Sequence, residues 1–217
     1  MAHRTPLSLQ RIVEAASAVA DDGGLGALSM RNVARKLGVE AMSLYHHIAN
    51  RDALLDALVD WVFTLIELPK PGQPWRSGTA QRASSARRVL GAHPWALGLI
   101  WSRPIPGPAL MRHHDRVLGN LLDDGFAVPL AASVISTIDA YVYGFVLTEQ
   151  SLPFSTETET TAFAETLELP ADQYPHLARM MGELIHGQAY EYTDEFTIGL
   201  DMILDAIEQR ATGTTAS

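Results

Sequence analysis

The chain has 217 residues, 47% of them hydrophobic, and a net charge of −9. That length and hydrophobic share suit one or two domains with a substantial core and exclude a chain disordered throughout. Cysteine is absent, which excludes disulfides, thiolate metal sites and cysteine nucleophiles.

Residues 1–6 read as a short polar arm ending at Pro6. Ser8 caps a predicted helix running to about Asp22, with Ile12, Val13, Ala16, Val19 and Ala20 inward at i, i+3, i+4 spacing. Gly23, Gly24 and Gly26 stop it. Leu28 to Arg51 then reads as two short helices joined by a tight turn. Ser29 is the N-cap of the first, Val33, Ala34 and Leu37 are its apolar face, and Gly38 supplies the permissive backbone at its end. Val39 returns to the core, and Leu44 with Ile48 marks the inner face of the second helix. Ala41, Met42, Ser43, Tyr45, His46 and His47 lie between those positions, where the core does not need them. A short helix whose outward face is small, hydroxylic, aromatic and imidazole suits a DNA major groove. The expectation is a helix-turn-helix reader of double-stranded DNA.

Asn50 and Asp52 open the next helix, which runs to Leu68 with Leu54, Leu55, Leu58, Val59, Val62 and Ile66 inward. Pro69, Pro71, Gly72 and Pro74 form the clearest linker, so the expected DNA-binding domain is 1–68 and the second domain 69–210. Helices are predicted over Trp75–Gly91, Pro94–Trp101, Ala109–Asp124 and Pro129–Ser151, with a break from Pro104 to Pro108. Residues 130–147 come closest to a membrane span, but Ser133, Ser136, Thr137, Asp139, Tyr141 and Tyr143 interrupt them. Together with the absence of a signal-peptide core, this predicts a cytoplasmic protein with no membrane partner. A Thr/Glu-rich loop is expected from Leu152 to Thr160, helical segments near 161–168 and 172–188, a last helix over Thr193–Arg210, and a disordered tail at 211–217. The fold class is all-α.

The acidic total is unevenly distributed. Residues 1–51 carry six basic and four acidic side chains, whereas 12 acidic residues face Arg179 and Arg210 from Glu157 onward. Phosphate affinity follows local cations, so DNA contact belongs to the N-terminal end. The 129–151 helix is apolar on more than one face (Leu130, Val134, Ile135, Ile138, Val142, Phe145, Val146). With the stripe Phe196, Leu200, Ile203, Leu204 and Ile207 of the last helix, it predicts a four-helix interface between two copies of the chain.

The run Leu37-Gly-Val-Glu-Ala-Met-Ser-Leu-Tyr-His-His47, followed by Asn50-Arg-Asp-Ala-Leu-Leu-Asp-Ala-Leu58, resembles the TetR family of bacterial transcriptional repressors. Trp75, Ser102-Arg-Pro104, Leu118–Phe126 and Tyr143-Gly-Phe-Val-Leu147 are similar to the C-terminal domain of the tetracycline repressor. The resemblance implies an N-terminal three-helix DNA-binding domain and a C-terminal helical domain for ligand binding and dimerisation. It implies a homodimer on a palindromic operator, released by a small-molecule effector. It places Ser29, Arg31, Ala41, Met42, Ser43, Tyr45, His46, His47 and Arg51 at the DNA. Ala41 and Met42 stand where the tetracycline repressor has glutamine and proline, so a different operator is implied.

In the ligand domain, the positions that hold the metal–drug chelate become Leu99 and Thr148. Those contacting the drug become Glu67, Arg82 and Ala86. The charge pattern of a chelate site is absent, so the resemblance implies an effector other than tetracycline, with no cofactor and no metal. Arg82 and Arg103 suit an anionic or carbonyl-rich ligand unless they pair with nearby acids, and Trp95, Trp101, Met111 and Phe126 offer apolar walls. His46-His47 and His113-His114 are adjacent pairs that point about 100° apart on a helix and do not converge on one ion. Two rival readings are an enzyme, which would need a nucleophile motif or phosphate loop that is not found, and a helical adaptor that has lost DNA binding.

Overall fold

The structure is a computed structural model that describes residues 6–103, 105–154, 156–167, 169–185 and 190–214. Residues 1–5 of the expected arm at 1–6, Pro104 of the expected break, Ser155 of the expected loop, residues 168 and 186–188 at two predicted helix ends, and 215–217 of the expected tail lie outside them. Helices but no strands occur among the described residues. Two compact units divide between Tyr143 and Gly144.

In the first unit, α1 (Leu9–Ala27) starts at Ser8, whose side chain accepts from the Arg11 N–H, and kinks at Gly24, where φ is +68°. α2 (Met30–Leu37) starts at Ser29, whose hydroxyl accepts from Asn32, and ends at Gly38 with φ +67°. The left-handed glycine lets the N–H of Val39 reach back to Ala34 at 3.0 Å, closing the turn before α3 (Ala41–Leu44). The backbone of α3 winds on past its last assigned residue, since Ile48 donates to Leu44 at 3.0 Å. α4 (Arg51–Leu65) is capped by Asn50, which accepts from Ala53 at 2.9 Å. Leu28, Leu44, Leu54 and Leu58 are buried between these helices, each stabilising the head by about 1.5–3 kcal/mol.

α4 is also the axle of the rest of this unit, because it packs on α1, α5 (Trp75–Ala92), α6 (Ala96–Ser102) and α7 (Pro108–Asp123). The Pro69–Pro74 stretch is a tight turn between α4 and α5. Gly72 takes φ +72° and Gln73 bonds both ways with Lys70. It is pinned from α7, where Arg116 donates to the Pro69 carbonyl and Asn120 to that of Gln73.

α8 (Val128–Ser151) runs from the first unit into the second. By length and composition it is apolar enough to cross a membrane, with a mean hydropathy of 1.6, yet Asp139 near its middle pairs with Arg82 of α5 at 2.6 Å. Of its large apolar residues, Val134, Ile138, Val142, Phe145 and Val146 are buried, Leu130 and Ile135 half-buried, and Val128 and Leu147 exposed. Between those two exposed ends α8 presents a row of small exposed residues, Ser133, Ser136, Thr137, Ala140 and Gly144. The buried residues Val134, Ile138, Val142, Phe145 and Val146 are thus spent within the chain, which corrects their assignment to an intermolecular face.

The second unit holds the end of α8, α9 (Glu157–Thr166), α10 (Pro175–Leu184), a 3-10 turn at Tyr192–Asp194 and α11 (Glu195–Thr214). Phe145 stacks on Tyr192 with centroids 4.9 Å apart and meets Phe196 edge-on at 5.1 Å. The expected loop at 152–160 ends early. Thr156 accepts from the Glu159 N–H while the Glu159 carboxylate accepts from Thr156, a reciprocal cap that starts α9 at Glu157. α11 continues past Arg210 to Thr214.

Candidate nucleic-acid interface and ligand core

α2 and α3 are held by buried Val33, Ala34, Leu44 and Ile48, which leaves their opposite faces in solvent. Met42 is 72% exposed, Tyr45 45%, and His46 and His47 are exposed beside them. Arg31 is exposed on α2 and has no hydrogen bond or ion pair among the described residues. The other basic groups of the head are engaged: Lys36 pairs with Asp22 at 3.1 Å and Arg35 donates to Asn32 at 2.8 Å. Ser29 spends its hydroxyl on the cap of α2, and Ala41 and Ser43 are half-buried. Arg51 reaches back to the end of α1, donating to the carbonyls of Leu28 at 3.1 Å and Leu25 at 3.3 Å. A cation on carbonyls left over at a helix end is a favourable structural arrangement.

The residues expected at the ligand separate into three places. Arg82 enters the core between α5, α7 and α8, only 3% exposed. Its Nη1 donates to Asp139 at 2.6 Å and lies 3.5 Å from Nε2 of His113, itself 3% exposed. Burial first, and then the charges of Arg82 and His114, hold the His113 pKa down to about 3, so this imidazole is neutral. Burial, followed by the Asp139 carboxylate, pushes the Tyr143 phenol upward, so it remains protonated. Phe63 meets His113 edge-on at 5.3 Å, and Trp101 meets Tyr143 edge-on at 6.2 Å. Trp101 is 73% exposed and Met111 is exposed.

A second group ties α4 to α6 and α7. Arg103 donates from Nε to Asp56 at 2.6 Å and pairs with Asp52 at 3.3 Å. The hydrogen bond to Asp56 leads the effects that hold its pKa above the ordinary value. One turn further along α4, Asp60 accepts from the N–H groups of Ala109 at 2.6 Å and Leu110 at 3.1 Å, capping α7. Near the start of α6, Trp95 is buried and donates to Asp21 of α1 at 2.6 Å, and His93 contacts the same carboxylate at 2.8 Å.

The remaining positions stand apart from both groups. Glu67 lies on the surface, where the Gln81 amide and then Arg88 hold its carboxyl below the usual range. Leu99 is buried. Phe126 is buried against Trp75 at 5.0 Å. Sequence reasoning passed over Asp139, His113 as a core group, and the Asp52, Asp56 and Asp60 series. The available signals were a lone acid in a long apolar helix and three aspartates at i, i+4, i+8.

Two family descriptions match the chain: bacterial regulatory proteins of the tetR family over residues 12–58, and the tetracyclin repressor-like C-terminal domain over residues 68–211. The transcriptional repressor DrrR1 of Streptomyces coeruleorubidus is 34% identical over 93% of this chain and 77% of its own length. The class D tetracycline repressor from Escherichia coli is 27% identical over 95% of this chain and 91% of its own. Among solved structures, the TetR family protein ActR of Streptomyces coelicolor in complex with actinorhodin has a TM-score of 0.76 at 31% identity, covering 95% of this chain and 98% of that one.

Proposed function

The chain belongs to the TetR family of bacterial transcriptional regulators, and on that premise we propose that it is a repressor that binds a palindromic operator as a homodimer and leaves it when a small molecule other than tetracycline binds. The carrying observation is the exposed face of α2 and α3, where Arg31 has no partner among the described residues and Met42, Tyr45, His46 and His47 project beside it. Ala41 and Met42 carry no side-chain donors or acceptors for base edges. Specificity then rests on Arg31, Ser43, Tyr45, the two histidines and DNA shape. The effector is held among α5 to α8, around Arg82; that the similar protein ActR forms a complex with actinorhodin supports a small-molecule effector. Coupling runs through the ties that α4 makes to Arg103, to the first turn of α7 and, by way of α1, to Trp95. A ligand that favours a different seat for α6 and α7 moves α4 and the reading head with it, and it shifts the population only by its difference in affinity for the two arrangements.

Gel retardation on the DNA upstream of the chain's own gene, repeated across salt concentrations, tests this. Binding should weaken steeply as salt rises. Arg31→Ala should cost about 1–3 kcal/mol of specific binding, and Tyr45→Ala should lose specific retardation, with the dimer intact in both. Unchanged affinity in both variants, or a flat salt response, overturns the assignment.

A further inference from the structure

Resting on that reading, we infer that the effector carries an anionic oxygen group, a carboxylate or an acidic enol or phenol on a flat apolar body, and that the Nε–Nη2 edge of Arg82 receives it. Nε and Nη2 of Arg82 are both buried without a hydrogen-bond partner. Their two N–H groups lie parallel on one edge of the guanidinium, the fork that matches a carboxylate. Asp139 is bonded through Nη1, away from that edge, so an anion need not displace it. Asp139 is also 17% exposed, so water shares its charge and part of the Arg82 field remains for a ligand.

His113 strengthens the selection. Its Nε2 faces Nη1 of Arg82 at 3.5 Å, and a guanidinium only donates. Nε2 must therefore present its lone pair, which leaves the proton on Nδ1, also buried and without a partner. All three of these atoms are donors, so what the cluster leaves unpaired calls for an acceptor group on the ligand. The one buried side-chain acceptor without a partner among the described residues, Oδ1 of Asn120, belongs elsewhere: a Cβ at Gly78 would lie 2.7 Å from it, beside the α4–α5 turn. The apolar body is indicated by the ring edges around the cluster, Phe63 against His113 and Trp101 against Tyr143.

The test compares 3-hydroxy-2-naphthoate with its methyl ester, which keeps the ring and carbonyl but loses the charge. Both are titrated into the full-length protein by calorimetry and by tryptophan fluorescence. The acid should bind at least about tenfold more tightly than the ester. Arg82→Lys, which keeps a cation for Asp139 but lacks the fork, should abolish that preference. So should the charge-balanced pair Arg82→Met with Asp139→Asn, which guards against a fold lost to an unpaired buried aspartate. Equal binding of acid and ester overturns the inference, as does no binding of the acid, or a preference that survives in both variants. Operator release by a neutral compound when the acid fails overturns this inference and leaves the regulator reading standing. Failure to retard the upstream DNA overturns the regulator reading, while the calorimetric preference still decides the anion site.

Discussion

His113 shows how a single side chain ties stability to pH. Its imidazole is 3% exposed and its pKa is lowered from 6.5 to about 3, by burial first and then by the charge of Arg82. A base whose pKa falls on folding binds its proton only in the unfolded chain between those two values. The unfolded state therefore gains protons as pH drops below 6.5, and stability falls with it. From pH 7.5 to pH 5 this one group should remove about 2 kcal/mol. Urea unfolding of the wild type and of His113→Gln at both pH values isolates it. The wild type should lose about 2 kcal/mol more than the variant over that interval, and an equal loss in both would place the buried histidine outside the acid response. The residue was legible in the sequence only as half of a His-His pair. What makes it a neutral group is first its burial in the core and then the charge of Arg82, 31 residues away, and no local spacing encodes that pairing. Arg103 differs from Arg82 for the same kind of reason, since its acids lie on α4, 47 and 51 residues back.

At the scale of elements, the helices were readable because their punctuation is local. Ser8, Ser29 and Asn50 cap where their side-chain chemistry predicts, and Gly24 and Gly38 turn where only glycine is comfortable. Thr156-Glu-Thr-Glu159 carried an equally local signal, obscured by the polar run that follows it. How helices approach each other was not legible, and Gly107 is the clearest case. It precedes α7 with an ordinary φ of −78°, yet a Cβ there would fall on the Asp60 carboxylate that caps α7. Gly107→Ala should therefore destabilise the protein by about 1–2 kcal/mol, the size of a lost cap. Gly119, inside α7, has nothing within 4 Å of its Cβ position. There the same change should stabilise by up to about 1 kcal/mol through helix propensity. Chemical denaturation of the two variants checks the contrast, and Gly107→Ala at or above wild-type stability would remove Asp60 as the device that seats α7.

For the whole molecule, repression requires two reading heads one turn of DNA apart, so the proposed dimer must come from surface the monomer leaves uncovered. α8 offers Ser133, Ser136, Thr137, Ala140 and Gly144, small enough for a second helix to approach closely. The hydroxyl of Ser133 donates to the carbonyl of Pro129 at 3.0 Å, and Thr148 on the same face does so to Gly144 at 2.9 Å. Drying that face therefore does not strand these two donors. In the second unit, α11 separately presents Ile198 and Met202, 49% and 67% exposed, one turn apart on a helix whose larger apolar stripe is already buried. Ala140→Glu and Met202→Asp change exposed positions, so each should leave the helical content of the chain intact. In a dimer whose faces meet there, each would bury an unpaired carboxylate, and the assembly should not tolerate it. Sedimentation should then show a monomer, and operator affinity should fall by about 10²–10⁴ because two linked half-sites become two separate encounters. A folded Ala140→Glu variant that still sediments as a dimer would move the interface off α8, and a monomer that binds the operator undiminished would remove the requirement for two heads.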